Sequence, residues 1–264
     1  MKNRKIVPVT ICCGKIYADF ASISIRSFTK HHSEKLLVLA DVLSEKVLLS
    51  SGIKNIEILN IEKYERMAKN ALNIKEKFIS KEAGGLPNGQ HMQYLALKPV
   101  IMNYAVLDID PLTDYILSID VDSYFSGNII TPTHKYLNAN KDRFDVYLVS
   151  REDKRMHVTC NGPLEIGTGY HLWKIKSNFI KMFIKRFPKR NYTCIGNQRI
   201  INMLIKETNS YVFKDPMLHF VSPDLRNPNI SDNEIKEIKP AYIHLHGPNV
   251  LNRIKKFRKV FEGI

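Results

Sequence analysis

With 264 residues, 44% of them hydrophobic and 25% charged, the chain can build a sizeable core and is not a disordered polyelectrolyte. No run approaches the roughly eighteen unbroken apolar residues of a membrane helix, and "MKNRKIVPVTICC" enters a strand-like segment without a cleavage-type site, so a protein that stays in the cytosol is expected. The formal charge of +14 points to polyanionic partners: nucleic acid, anionic lipid or phosphorylated small molecules.

Taken in chain order, "IVPVTICC" is an apolar, β-branched run that predicts a buried strand, after which Tyr17, Phe20, Ala21, Ile25 and Phe28 fall on one helical face. "KLLVLAD" (35–41) and "NIEILNI" (55–61) predict a second and a third strand. Strands of this type separated by helices imply a parallel sheet covered on both faces. "EKYERMAKNALNIKEKF" reads as a polar helix. In "SKEAGGLPNGQ" the residues Gly84, Gly85, Pro87 and the Asn88-Gly89 pair forbid regular structure, leaving either a mobile functional segment or an inert surface connection. A helix in "YLALKPVIMNYAVLD" is expected to start near Pro99, which a first turn tolerates.

The most informative stretch follows. In "YILSIDVDSYFSGN" (115–128) an apolar strand ends in Asp120 and Asp122, separated only by Val121, before a Ser, Gly and Asn loop. Ligands of open parallel sheets bind beyond the carboxyl ends of the strands. Two adjacent carboxylates repel each other and resist desolvation unless a cation neutralises them. Hard oxygen ligands suit Mg²⁺ or Mn²⁺, so the strand reads as a post holding a metal clamp. A strand-terminating pair in a solvated turn is the bland alternative. Asp41, closing the second predicted strand, offers a ribose or base contact or else a helix cap.

Beyond the motif lie "FDVYLVS", "GYHLWKI", a helix in "NQRIINMLI", "YVFKD" and "AYIHLHG". The last is an apolar, strand-like segment leading into a Gly-Pro turn; if it is extended, His244 and His246 share one face while Leu245 points to the core. A neutral imidazole completes an Asp-Asp site better for Mn²⁺ than for Mg²⁺, and only one of the two histidines need supply it. Between Lys174 and Arg190, seven Lys or Arg residues alternate with Ile175, Phe179, Ile180, Phe183, Ile184 and Phe187 at helical spacing. The C-terminal "NRIKKFRKVFEGI" repeats the design with Ile254, Phe257, Val260 and Phe261. Each stripe can face the core or an anionic membrane surface. The four cysteines (Cys12, Cys13, Cys160, Cys194) show no C-x-x-C spacing and read as reduced core thiols. With no repeat and no linker, the expected organisation is one α/β domain over 1–251, less regular in its C-terminal half, followed by a basic amphipathic tail, 252–264.

These segments, in this order, resemble the GT-A fold glycosyltransferases, whose D-x-D motif binds metal and the donor diphosphate. Within them the chain is similar to glycosyltransferase family eight, the group of glycogenin and the bacterial lipopolysaccharide galactosyltransferases. "VTICCGKIY" resembles that group's first strand and donor-base loop, with Tyr17 where a Tyr stacks on the base. "YLALKP" resembles its Y-x-R-L-K segment at Tyr94, Leu97 and Lys98, "NQRIIN" its D-Q-D-x-x-N segment at Gln198 and Asn202, and "HLHG" its H-x-x-G at His244 and Gly247. The resemblance implies a Rossmann-like, mainly parallel sheet flanked by helices and a UDP-sugar or related donor lying against Thr10, Cys12, Tyr17, Asp41, Lys98, Val121 and Gly247. Metal on Asp120, Asp122 and His244 is implied with it. The chain departs from the pattern at Gly14 and Lys15, where acidic residues are usual, at Ala96 for Arg, and at Asn197 and Arg199 for the two aspartates; the K-P-W after Gly247 is missing.

The expected activity is transfer of a sugar, such as a hexose, to a glycan or lipid-linked acceptor, with the loop around "NGPLEIGTGY" orienting the acceptor. An inverting enzyme needs a general base, for which Glu152, Asp153 and Glu165 are the candidates. A retaining enzyme of the resembled group lets the departing phosphate take the proton, with Gln198, beside Asn197, near the sugar; the His-x-x-Gly ending leans this way. A metal-dependent nucleotidyltransferase is one alternative, since it too places aspartates at a strand end, but it needs a Gly-rich phosphate loop after the first strand and the single glycine of "CCGKIYAD" counts against it. Nothing in a nucleic-acid binder requires two aspartates at a strand tip. A catalytically inactive nucleotide-sugar-binding domain is the other alternative.

Overall fold

The computed structural model describes residues 4–74, 89–141, 143–149, 169–187, 200–205, 207–213, 220–221, 233, 241–245 and 250–263. The β-branched run at the start forms β1 (Ile6–Cys12), followed by α1 (Lys15–His31), β2 (Leu36–Ala40), α2 (Val42–Ser50), β3 (Ile56–Asn60) and α3 (Ile61–Leu72). Then come α4 (Gly89–Ile109), β4 (Tyr115–Ile119), β5 (Ser123–Phe125), α5 (Ile130–Ala139), β6 (Val146–Val149), β7 (Tyr170–Lys174) and α6 (Phe179–Arg186). The remaining elements are β8 (Ser210–Phe213), β9 (Phe220–Val221), β10 (Tyr242–His244) and a terminal helix, α7 (Val250–Glu262). Residues 75–88 lie outside the described residues, and with them most of the Gly-rich stretch.

Seven strands form one sheet in the order β3-β2-β1-β4-β7-β6-β8, and β5-β10-β9 form a second, smaller one. In the large sheet β3, β2, β1 and β4 run parallel and β7 runs antiparallel to both of its neighbours. Pro8 has no N–H to donate, yet it lies in a central strand. The register explains this, since pairing with β2 starts only at Val9↔Leu37. The chain leaves β1 towards β2 on one side and later returns to β4 on the other. A crevice therefore opens beyond the carboxyl ends of β1 and β4, where the order reverses.

Strand alternation splits the core in two. One face of the sheet packs Cys12, Val38, Leu117 and Ile119 against α1 and α7, and the other packs Val9, Leu39, Ile116 and Trp173 against α3, α4 and α6. Pro99 corrects one expectation: it lies in the middle of α4 rather than in its first turn. An interior proline costs about 3 kcal/mol. The flanking Tyr94, Leu97, Val100, Ile101 and Met102 are completely buried, each worth about 1.5–3 kcal/mol, so packing outweighs the local penalty.

Both basic helices turn their apolar stripes inward. Phe179, Ile180 and Phe183 of α6 are buried while Lys181 and Lys185 stay exposed. In α7, Ile254 and Phe257 are buried, and Val260 and Phe261 pack against the same core. The segment expected as an amphipathic tail is thus a helix docked on α1 and β5: Tyr124 stacks on Phe257 and Phe261 and donates a 3.0 Å hydrogen bond to Glu262. Among the described residues no helix is long and apolar enough to cross a membrane. We expect Phe257→Ala to cost about 3–5 kcal/mol in urea unfolding, whereas Lys255→Ala and Lys259→Ala, on the exposed face, stay within about 0.5 kcal/mol of the unsubstituted chain.

Candidate metal centre

Strand β4 is buried along its whole length and emerges at Asp120. Val121 is again buried, so the chain is anchored between the two aspartates, whose side chains are about a fifth exposed (20% and 22%). Immediately afterwards β5 pairs antiparallel with β10, and the register His244↔Ser123 brings the imidazole beside the aspartates. The N–H of Leu245 donates to the carbonyl of Asp122 at 2.7 Å, and the Leu245 side chain fills the core as strand alternation expects.

His244, only 1% exposed, places Nε2 3.3 Å from Asp120 Oδ2 and 3.3 Å from Asp122 Oδ1. One ligand atom from each of the three residues falls within 4.8 Å of the others. Ligands in adjacent positions about an ion with bonds of about 2.1 Å sit roughly 3 Å apart, so both imidazole–carboxylate spacings suit neighbouring positions on one divalent cation. Two carboxylates with one imidazole also form a chemically suitable donor set.

Lys98 is not the helix-surface lysine that its sequence allows. It is buried, 4% exposed, and its ammonium forms an ion pair with Asp120 Oδ1. The bond leaves Oδ2 facing His244. Among the described residues the Lys98 ammonium faces Asp120, and the two neighbouring carboxylates attract a cation electrostatically.

Sequence reasoning missed two buried side chains, one beside this centre and one near Lys98. Tyr242 is buried at the meeting of both sheets: its hydroxyl donates to the carbonyl of Gly169 at 2.7 Å and accepts from Ser123 Oγ at 2.9 Å and from the Asp120 N–H at 3.3 Å. Burial, reinforced by the Asp120 charge, pushes its phenol pKa well up. The signal lay in strand alternation, which puts residues 242 and 244 on one face. His171 of β7 lies opposite Ser118 in the sheet, on the α4 side. Burial first, and the Lys98 charge second, pull its pKa down to about 3, so it is a neutral imidazole.

The other anticipated residues divide clearly. Asp41 is the N-cap of α2: Oδ1 accepts from the Ser44 N–H and Oδ2 from the Gly14 N–H, both at 2.8 Å. The cap alternative describes it, and both carboxylate oxygens are engaged by backbone. Gly14 itself has φ 87° and ψ 150°, a conformation open in practice only to glycine. The departure from an acidic residue there is therefore built into the backbone. Thr10 and Cys12, expected against the donor, are 2% and 0% exposed, and Cys12 packs among α1 side chains. Burial raises the Cys12 thiol to about 12, which makes it an inert core residue. Tyr17, in the first turn of α1, is half-buried and edge-on to Phe20. Ala96 is fully buried. Glu152, Asp153, Glu165, Asn197, Gln198, His246 and Gly247 lie outside the described residues.

No protein-family model matches the chain, and no curated protein matches it in sequence. Solved structures do. Mouse xyloside xylosyltransferase 1 in its apo form aligns with a TM-score of 0.58 at 10% identity, over 91% of this chain and 97% of that one. The galactosyltransferase LgtC, in complex with donor and acceptor sugar analogs, aligns with a TM-score of 0.51 at 15% identity, over 97% and 95%. The bifunctional glycosyltransferase WbbM, also apo, aligns with a TM-score of 0.54 at 16% identity, over 93% of this chain but 46% of that one. The fold is GT-A, as the sequence led us to expect.

The buried neutral His171 makes stability depend on pH. Its folded value near 3 lies below the ordinary 6.5, so on acidification the unfolded chain takes up a proton there before the folded chain can. The stabilisation is complete above about pH 6.5 and is lost as pH falls towards 3. We expect His171→Leu to flatten the slope of unfolding free energy against pH between 6 and 4 by up to about 1.4 kcal/mol per pH unit, measured by denaturant titration.

Proposed function

We propose that the protein is a metal-dependent glycosyltransferase. It transfers a sugar, as a hexosyltransferase, from a nucleoside-diphosphate donor, UDP favoured, to a glycan or lipid-linked acceptor. The observation that carries this reading is the triangle of Asp120, Asp122 and His244 at the switch point of a GT-A sheet. An imidazole in the donor set favours Mn²⁺ over Mg²⁺.

A divalent cation held there would neutralise charge developing on the departing diphosphate. Lys98 adds a fixed positive charge at the edge of the site. Its ammonium stays on Asp120 or turns to a phosphate oxygen, and in either position it opposes the same negative charge. Val121, clamped in the core, prevents the two aspartates from swinging apart. In this reading Tyr17, which follows β1 on the carboxyl side of the sheet, stacks on the donor base, and Gly247 flanks the diphosphate. Gln198, with Asn197, attends the sugar under retention, which is slightly favoured. Under inversion, one of Glu152, Asp153 and Glu165 accepts the acceptor proton.

The protein would then work in the cytoplasm. The apolar stripes of α6 and α7 face the core, so these two helices do not offer them to a bilayer. An acceptor on the inner face of a membrane would instead be met through the net positive charge.

The test is release of nucleoside diphosphate from UDP-, GDP- and dTDP-sugars in the presence of Mn²⁺. We expect slow donor hydrolysis with a UDP-sugar, abolished by chelation and reduced about 10²-fold or more in Asp120→Ala and Asp122→Ala. Donor binding without turnover would instead identify an inactive domain. Turnover that survives either substitution overturns the proposal.

A further inference from the structure

The candidate centre is assembled from two sheets. Asp120 terminates β4 of the large sheet, whereas His244 terminates β10 of the small one. For their side chains to share one cation, the offset between the sheets must be held to within a fraction of an ångström. The Tyr242 hydroxyl stands at that junction. It receives the Asp120 N–H, receives Ser123 Oγ of β5 and donates to the carbonyl of Gly169, the residue before β7. The Asp120 N–H is shared with the Gly169 carbonyl at 3.3 Å, so the three groups form a closed set. Tyr242 itself lies two residues before His244 in β10, with its ring centroid 6.3 Å from the imidazole.

We propose that Tyr242 is a positioning residue that sets the spacing between Asp120 and His244 and thereby the affinity of the centre for a divalent cation. This rests on the reading of Asp120, Asp122 and His244 as metal ligands. Several features separate the role from ordinary core packing. Phenylalanine would fill the same volume: the ring already packs against Phe125 and Tyr170. The hydroxyl therefore adds direction rather than bulk. It accepts from the backbone of one ligand while its own strand carries the other. Ser123 is also the register partner of His244, so the hydroxyl reaches both ligand-bearing strands by separate routes. Groups of this kind around a metal ligand typically change affinity by about 10–100-fold when removed.

The test uses the full chain. Mn²⁺ binding is titrated by calorimetry in the unsubstituted protein and in Tyr242→Phe, and hydrogen exchange of the peptide spanning Asp120 is followed without metal. We expect Mn²⁺ affinity to fall about 10–100-fold in the variant, with faster metal-free exchange at Asp120 and an unchanged far-ultraviolet spectrum. A variant that loses thermal stability but binds Mn²⁺ as tightly as the unsubstituted chain overturns the inference and leaves the functional reading standing. If the unsubstituted chain binds no Mn²⁺, both fall. Should Tyr242→Phe not fold, Ser123→Ala withdraws one of the same hydrogen bonds; a several-fold loss of Mn²⁺ affinity supports the proposal, and no change overturns it.

Discussion

Two like charges placed side by side at the tip of a buried strand set the terms for the rest of this molecule. Asp120 and Asp122 cannot retreat, because Ile119 and Val121 are locked in the core on either side of Asp120. Their repulsion is answered by bringing positive charge or metal-binding atoms to them. Lys98 arrives from α4 and His244 from β10, and both side chains are buried to do so. Burying a lysine is costly unless it is paired, and here the partner is the carboxylate whose second oxygen faces the imidazole. Two acids, one ammonium and one imidazole thus meet in one place, and the paired carboxylates with the imidazole form a donor set suited to a divalent cation.

The scaffold around this centre does two separate things. The parallel block β3-β2-β1-β4 provides the crevice at its reversal point, and the small sheet β5-β10-β9 folds back to deliver the histidine. Tyr242 ties the small sheet to Asp120 and Gly169 through one hydroxyl, and the bond from the Leu245 N–H to the Asp122 carbonyl extends the β5–β10 pairing up to the second aspartate. The terminal helix supports the arrangement from behind, since its aromatic stripe stacks on Tyr124, two residues after Asp122. The basic amphipathic helices thus contribute apolar faces to the core and leave a positively charged exterior. That exterior suits long-range attraction of phosphorylated or anionic ligands and has no bearing on the fold.

Asp41 illustrates how a residue that looks chemically available can already be committed. It closes a strand on the ligand side of the sheet, the position where a ribose contact would be sought. Its carboxylate instead accepts two backbone N–H groups, and one of them belongs to Gly14, whose own conformation admits almost no other residue. The loop after β1 is therefore braced by a cap reaching across from β2. Thr10 and Cys12, in the strand before that loop, are buried.

Local periodicity was enough to locate the first three strands, the β4 post and the extended segment bearing His244, because buried strands and amphipathic helices carry their pattern in neighbouring residues. The GT-A class was implied instead by the resemblance of short segments, in order, to that family. Strand alternation likewise anticipated the inward Leu245. Other features were decided only by tertiary structure. Proline chemistry placed the start of α4 near Pro99, but packing on both sides carried the helix ten residues further back, to Gly89. Periodicity could not say which way the basic stripes faced, since core and membrane satisfy the same pattern. Lys98 meets Asp120 across 22 positions of chain and Tyr242 meets it across 122. A short pattern states which atoms are available; which of them come within hydrogen-bonding distance depends on how distant strands are registered, and that is a property of the packed sheet alone.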